Sequence, residues 1–403
     1  MRRYVRPAGL GVAALFLLLV TVGCTSTGAQ PAAEAEAVAA VAGVDAVAPP
    51  VSAASIAFTP ESASLDVDPT QPVSVTVTDG RLTEVTVTNA KGRSLAGGLA
   101  SDGSSWTSTA PLKLAGHYRL VASAEDAEGR PTERSGFFAT VAPRRILETS
   151  ISPLDGQYVG VGMPVIIRFS DRVKNRAAVE EALSVKSSKP IIGSWSWTAD
   201  DEVHFRPKEF WPTYTDVKVK VDLKGVDAGR GVWGMENRTV KFSTGPSMVS
   251  VIDVDRYTLT VYRNGEVARV IPVSTGKAGF LTRNGTKVIL EKHTLKIMDA
   301  QTIGISPGDP DYYLLEVPYA MRVTWSGEFV HAAPWSVGSQ GRDNVSHGCV
   351  GMSPANAIWL FNQSTVGDIV QVVGSPRTLE PGNGYTDWNV SWSEWTAGSA
   401  LQS

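Results

Sequence analysis

Across residues 56–141 apolar and polar side chains alternate in short runs, and each run stops at a turn signal. Residues 72–78 alternate and end at Asp79-Gly80, and residues 82–88 alternate and end at Asn89-Ala90-Lys91-Gly92. A period of two places every second side chain on one face of a strand, so each run buries one face and wets the other. Further runs at 105–109, 117–125 and 136–141 complete the spacing of an all-β sandwich. The 38 glycines and 24 prolines, with abundant Val and Thr, favour strands and turns over helices in the same way.

The pattern repeats in two later units. One has runs at 165–169, 195–198, 202–206, 217–221 and 239–243, with a short helix expected at 177–183 and Asn175 near its start. The other opens with strands at 249–253 and 258–262, then the turn Arg263-Asn264-Gly265-Glu266, where Asn-Gly marks a hairpin. Strands at 267–273, 287–291 and 323–330 follow, then a helix at 354–362 with Ser353 as N-cap and Pro354 at its first position. A strand at 368–373 closes the unit.

The first two units, 52–142 and 143–246, resemble bacterial immunoglobulin-like domains. Neither contains a Cys pair or a clustered set of ligands, so both read first as spacers, with weak wall binding as the alternative. The third unit covers 247–374. Residues 375–403 hold Trp388, Trp392 and Trp395, spaced to share one helical face. Packing of these rings onto the third unit is expected, with a sugar-stacking patch as the alternative.

The N-terminus reads as a targeting segment. Arg2, Arg3 and Arg6 precede an apolar run at 10–22 that is too short to cross a bilayer comfortably. Val22-Gly23-Cys24 resembles a bacterial lipobox, although Thr21 stands where Leu is usual. The resemblance implies a lipoprotein signal peptide over 1–23, a lipid on Cys24, and an exported, membrane-anchored protein; a plain secretory signal is the alternative. Residues 24–51, rich in Ala and Pro, read as a disordered tether. A net charge of −3 argues against nucleic acid as a partner.

Only two cysteines are present. If Cys24 carries lipid, Cys349 is left unpaired in a compartment that oxidises thiols, either as a reactive thiol or as a small buried hydrophobe. Its surroundings favour the first. His331-Ala332-Ala333-Pro334-Trp335 is followed by Ser346-His347-Gly348-Cys349-Val350-Gly351, with fourteen residues between His331 and Ser346. A thiol near its ordinary pKa supplies little thiolate at neutral pH, and an imidazole that takes the proton corrects this. Gly348 permits an unusual backbone conformation beside the nucleophile, which would aim nearby N–H groups at a developing oxyanion.

His331, fourteen residues, then Ser346-His347-Gly348-Cys349 resembles the signature of the L,D-transpeptidases. Phe329-Val330, Pro334-Trp335-Ser336-Val337-Gly338 and Val366-Gly367-Asp368 extend the likeness. The two preceding domains and the Trp-rich tail match the type found in mycobacteria and their relatives. The resemblance implies a mainly β fold: two immunoglobulin-like sandwiches, a β-rich catalytic domain with a short helix, and a C-terminal extension. It also implies Cys349 as nucleophile, His331 as general base, and 3→3 cross-linking of peptidoglycan through a thioester with loss of D-Ala. Donor and acceptor would be tetrapeptide stems, carbapenems would acylate Cys349, and neither metal nor cofactor would be needed. An L,D-carboxypeptidase using water, or a wall-binding protein without activity, are the competing readings. By position, Tyr313 corresponds to a lid tyrosine, and Ser326 and Gly327 to a substrate-contacting turn. Ser346 would tie the loop together, while His347 would position the loop, contact substrate or serve as a structural hydrogen-bonding group. Gly351 departs from the family, which commonly has Asn or Arg there.

Overall fold

The computed structural model describes residues 51–401, which form one compact unit. The expected signal peptide, Cys24 and nearly all of the expected tether lie outside the described residues. The first immunoglobulin-like unit pairs a four-stranded sheet with a three-stranded one. Its core takes alternate residues of each strand, such as Val75 and Val77 from Ser74–Thr78 and Leu120, Ala122 and Ala124 from His117–Glu125. The second unit sets two four-stranded sheets around Val165, Ile167, Val203, Trp211, Val219 and Phe242. Its helix spans Arg176–Glu181, capped by the Asn175 side chain.

The third unit is built on a nine-stranded sheet. Its order runs Gly285–Val288, Ile369–Val373, Met248–Asp253, Thr258–Arg263, Glu266–Ser274, Val350–Met352, Phe329–Ala332, Leu314–Arg322 and Glu291–Asp299. Two of its pairings are parallel, Met248–Asp253 with Ile369–Val373 and Phe329–Ala332 with Val350–Met352. The helix Pro354–Gln363 lies against the sheet, with Ser353 capping it.

Two expected strands differ from those observed. The run at 287–291 divides between two strands, because Ile289 N–H bonds Asp368 on one side and Leu290 N–H bonds Arg322 on the other. The run at 323–330 is interrupted by a turn, where Gly327 adopts φ +99° and Val323 N–H bonds the Glu328 carbonyl. Only Phe329–Ala332 continues as strand.

Gly160 and Gly162 are where the second unit meets the third. Gly160 N–H donates to Val366 O at 2.8 Å and Gly162 N–H to Gly367 O at 2.9 Å. A Cβ on Gly160 would lie 2.2 Å from Asp368 N, and one on Gly162 would lie 2.0 Å from Ile369 Cδ1. Only glycine allows so close an approach.

The tryptophans of the tail do not share one helix and do not pack chiefly on the third unit. Trp388 lies in a single 3₁₀ turn, while Trp392 and Trp395 lie on the helix Trp392–Ala397. All three converge on Arg206 of the second unit, with the guanidinium carbon 5.0, 5.3 and 4.8 Å from the ring centroids. Trp388 and Trp395 donate to the carbonyls of Gly162 and Ser194. A guanidinium held over several indoles is attracted by each ring face, which offsets part of the burial that lowers the Arg206 pKa.

His204 also joins the tail to the second unit. It is buried between Asp387 and Glu202, with both ring nitrogens 2.6 Å from a carboxylate oxygen. Burial pushes its pKa down, but the two carboxylates override this and hold it at about 9. A raised histidine pKa stabilises the fold fully below the ordinary value near 6.5, and the contribution is lost as pH rises through about 9. The difference in melting temperature between the wild type and His204→Gln is therefore expected to be largest at pH 6 and to vanish by pH 10. A difference independent of pH would mean that the ring acts by packing alone.

Candidate active site

Parallel pairing of Phe329–Ala332 with Val350–Met352 places Val330 opposite Val350 and His331 opposite Gly351. Side chains two apart on a strand share a face, so Cys349, just before its strand, and Gly351 point to the side that His331 occupies. All three line one cavity of about 230 Å³, together with Tyr313, Trp335 and His347.

Cys349 is unpaired. Its thiol donates to the Gly327 carbonyl at 3.6 Å. Burial pushes the thiol up to about 12; the Phe329 backbone and Lys287 oppose the rise, and Glu328 adds to it. His331 is buried in its strand, with Nδ1 2.7 Å from the Ala332 carbonyl. A carbonyl only accepts, so Nδ1 carries the proton and Nε2 is the free base. Burial lowers the imidazole to about 4, with the Ala332 carbonyl opposing. The resting pair is thus a neutral thiol beside a neutral imidazole, rather than the ion pair that the sequence alone suggests. Among the described residues no hydrogen bond joins the two groups. Proton transfer requires the thiol to turn from Gly327 toward Nε2, a tightening common as substrate binds.

The loop before Cys349 is tied internally. Ser346 Oγ donates to the Cys349 carbonyl at 2.6 Å and accepts from Gly348 N–H at 3.1 Å. Gly348 has φ +116°, a backbone state that L side chains rarely adopt, and its carbonyl accepts from Thr282 Oγ1 at 2.9 Å. The Gly348 N–H is therefore occupied by the loop in this state rather than aimed at an oxyanion. His347 bonds Asp311 at 3.1 Å and sits between Phe280 and Tyr313, with ring centroids 4.6 and 5.1 Å away. Asp311 also pairs with Lys277, and these contacts hold its carboxyl below the ordinary range. Tyr313 is pushed up to about 12, mainly by burial and then by Cys349 and Asp299, so its phenol stays protonated. Trp335 stacks on His331 with centroids 5.9 Å apart.

Ser326 and Gly327 stand elsewhere. Neither lines the cavity. Gly327 meets Cys349 from behind through its carbonyl, and Ser326 is held by Asn383 of the tail, which accepts from its N–H and donates to its hydroxyl, both at 2.9 Å. Gly351 lines the cavity with no side chain, and a Cβ there would meet Ala333 Cβ at 2.8 Å.

Sequence reasoning missed a buried charge network behind Cys349. Glu328 bonds Lys287 Nζ at 2.5 Å and Arg283 Nη1 at 3.0 Å, and Arg283 continues to Glu380. Asp311 escaped notice too. These residues lie on ordinary charged stretches, and only long-range contacts bring them here.

Residues 64–227 match the bacterial Ig domain family, and residues 247–372 match the L,D-transpeptidase catalytic domain. The chain is 40% identical to L,D-transpeptidase 2 of Mycobacterium tuberculosis over 330 residues, 82% of this chain and 81% of that one. It belongs to the L,D-transpeptidase family. L,D-transpeptidase 5 of the same species is 35% identical over 360 residues, 87% of this chain and 78% of its own. The solved structure of LD transpeptidase LdtMt1 in complex with imipenem is similar over 57% of this chain and 100% of its own, at 41% identity and a TM-score of 0.50. In this L,D-transpeptidase the Ser346 hydroxyl satisfies one carbonyl and one N–H of the nucleophile loop. Its removal in Ser346→Ala is expected to cost about 1–3 kcal/mol. Urea unfolding of the purified residues 51–403 measures this; an unchanged midpoint would exclude the role.

Proposed function

We propose that this L,D-transpeptidase forms 3→3 cross-links in peptidoglycan through a thioester on Cys349. The observation that carries the reading is the free thiol and the buried imidazole lining one cavity from adjacent parallel strands. The donor is a tetrapeptide stem whose third residue, meso-diaminopimelate, presents its carbonyl to the thiol. His331 Nε2 takes the proton as sulfur attacks. It returns that proton to the departing D-Ala amine, leaving the thioester. The side-chain amine of a second stem then attacks the thioester, loses a proton to Nε2, and the thiol is regenerated. Each step uses the same base, and none requires a metal or a nucleotide. Tyr313, Trp335 and His347 wall the cavity in which these groups meet.

Carbapenems fit the same reading as inhibitors, because a strained lactam carbonyl is an acyl donor to the same sulfur. The complex of LD transpeptidase LdtMt1 with imipenem supports it for a relative. The two immunoglobulin-like units serve as a spacer that carries the catalytic domain away from a lipid on Cys24, facing the wall. Cys24→Ser is expected to move the protein from the membrane fraction to the soluble fraction of fractionated cells. Unaltered membrane association would refute the lipid anchor.

Incubation of the purified ectodomain with tetrapeptide muropeptides is expected to yield dimers that mass spectrometry reads as 3→3 linked. Cys349→Ala is expected to yield none, and dimers from that variant would overturn the assignment. Tripeptide monomers in place of dimers would point to water as the acceptor and to a carboxypeptidase. Because burial holds His331 near 4, carbapenem acylation followed by intact mass should fall off near pH 4 rather than near 6.5. A limb near 6.5 would mean that the buried His331 is not the base.

A further inference from the structure

Behind Cys349, on the side away from the cavity, lies a chain of charges that the mechanism above does not use. Lys287 is 1% exposed, among the largest fully buried side chains. Glu328 is 4% exposed. Lys287 Nζ and Glu328 Oε2 are 2.5 Å apart. The other carboxylate oxygen accepts from Arg283 N and Nη1, both at 3.0 Å, and Arg283 Nε reaches Glu380 at the surface. Buried ion pairs of this kind rarely add stability over an apolar pair of the same volume, so a buried pair at this position calls for another role.

Its position supplies one. Glu328 directly follows Gly327, whose carbonyl receives the Cys349 thiol. A Cβ on Gly348 would lie 3.7 Å from Glu328 Oε1, so the carboxylate lies against the residue that precedes the nucleophile. Glu328 also closes its own turn, with its N–H bonded to Thr324 Oγ1 at 2.9 Å. Anchoring the carboxylate at Lys287 and Arg283 therefore fixes the Gly327 carbonyl. A bare carboxylate against the residue before Cys349 opposes a negative charge on sulfur, and Lys287 acts on the thiol in the opposite sense. His331 and Tyr313 face the sulfur from the cavity side, and both are neutral at pH 7, so they do not supply the missing charge.

We propose that Lys287 and Glu328 are a positioning pair for the nucleophile: Glu328 holds the Gly327 carbonyl that parks the thiol, and Lys287 balances the carboxylate when the thiolate forms. The inference rests on Cys349 being the nucleophile, and it concerns the sulfur rather than the acceptor. Arg283 alone does not replace Lys287, since its guanidinium is shared with Glu380.

Second-order alkylation of Cys349 by iodoacetamide, followed by intact mass between pH 7 and 9, tests it. That reaction needs neither stem peptide nor turnover, so it stands or falls separately from the transpeptidase assignment, which the muropeptide products decide. Lys287→Gln keeps a hydrogen bond to Glu328 but removes the charge. It is expected to slow alkylation about tenfold across this range, the effect of one unit in thiol pKa. Adding Glu328→Gln removes the opposing charge as well and is expected to bring the rate back to within about threefold of wild type. Loss of packing alone would make the double variant as slow as the single one or slower, and that result would overturn the proposal. So would an unchanged rate in Lys287→Gln. If the Gln variants do not fold, Lys287→Met and the pair Lys287→Met with Glu328→Met are read by the same criterion.

Discussion

The parallel pairing of Phe329–Ala332 with Val350–Met352 is the constraint on which the catalytic unit depends. Parallel neighbours need a long connection. The loop from Ala333 to Cys349 provides it and also carries the nucleophile. A slip of one residue in this register would turn His331 from the cavity into the core and separate base from sulfur. Several contacts guard against such a slip. Ala333 N–H bonds Met352 O at 2.8 Å, Ser346 N–H bonds Thr275 O at 3.0 Å, and the Ser346 hydroxyl closes the last turn of the loop. The same pairing buries both reactive groups. Burial keeps the imidazole unprotonated and the thiol protonated, so the site waits uncharged and ionises only as an electrophile arrives.

The tail links this site to the domain before it. Near its start, Glu380 holds Arg283 and Asn383 holds Ser326, so the turn behind Cys349 is braced from outside. Toward its end, Asp387 meets His204, and three tryptophans enclose Arg206 of the second immunoglobulin-like unit. With Gly160 and Gly162 pressed against Gly367 and Asp368, the second and third units share contacts at both places. A spacer that merely added length would need neither. These contacts fix the orientation of the second unit relative to the cavity.

Period-two alternation made strands such as Ser74–Thr78, His117–Glu125 and Asp216–Asp222 legible, because one buried face leaves its mark on every second residue. Val165–Phe169 and Glu202–Pro207 are instead buried nearly throughout, and short strands such as Arg145–Leu147 and Val232–Gly234 left no such mark. Asn264-Gly265 and Ser353-Pro354 announced a hairpin and a helix through local chemistry. Cys349 and His331 were legible from residue type and spacing. Contacts made across long stretches of sequence left no such trace. The pairing of His204 with Asp387 spans 183 residues. The burial of Lys287 and Glu328 depends on a pairing 41 residues apart. The glycines of Gly160-Val161-Gly162 are needed for close backbone approach to Val366 and Gly367, far along the chain, which no local pattern announces. The run at 323–330 read as one strand because its alternation continues through a turn that only the positive φ of Gly327 reveals.

Gly351 separates what this site fixes from what it leaves open. It lies opposite His331 in the sheet and on the cavity wall, where the resemblance leads one to expect Asn or Arg. A Cβ there would press on Ala333 and stand 3.8 Å from both the Ser336 hydroxyl and the Ser274 carbonyl. Any larger side chain would have to displace Ala333 and would narrow the space beside the imidazole. Without one, that space remains in the cavity, and Tyr313, Trp335 and His347 are left to shape it. The nucleophile and its base do not depend on residue 351, because strand register and loop hydrogen bonds hold both. What residue 351 sets is the width of the cavity wall opposite His331, and a side chain there would change that wall before it changed the nucleophile or its base.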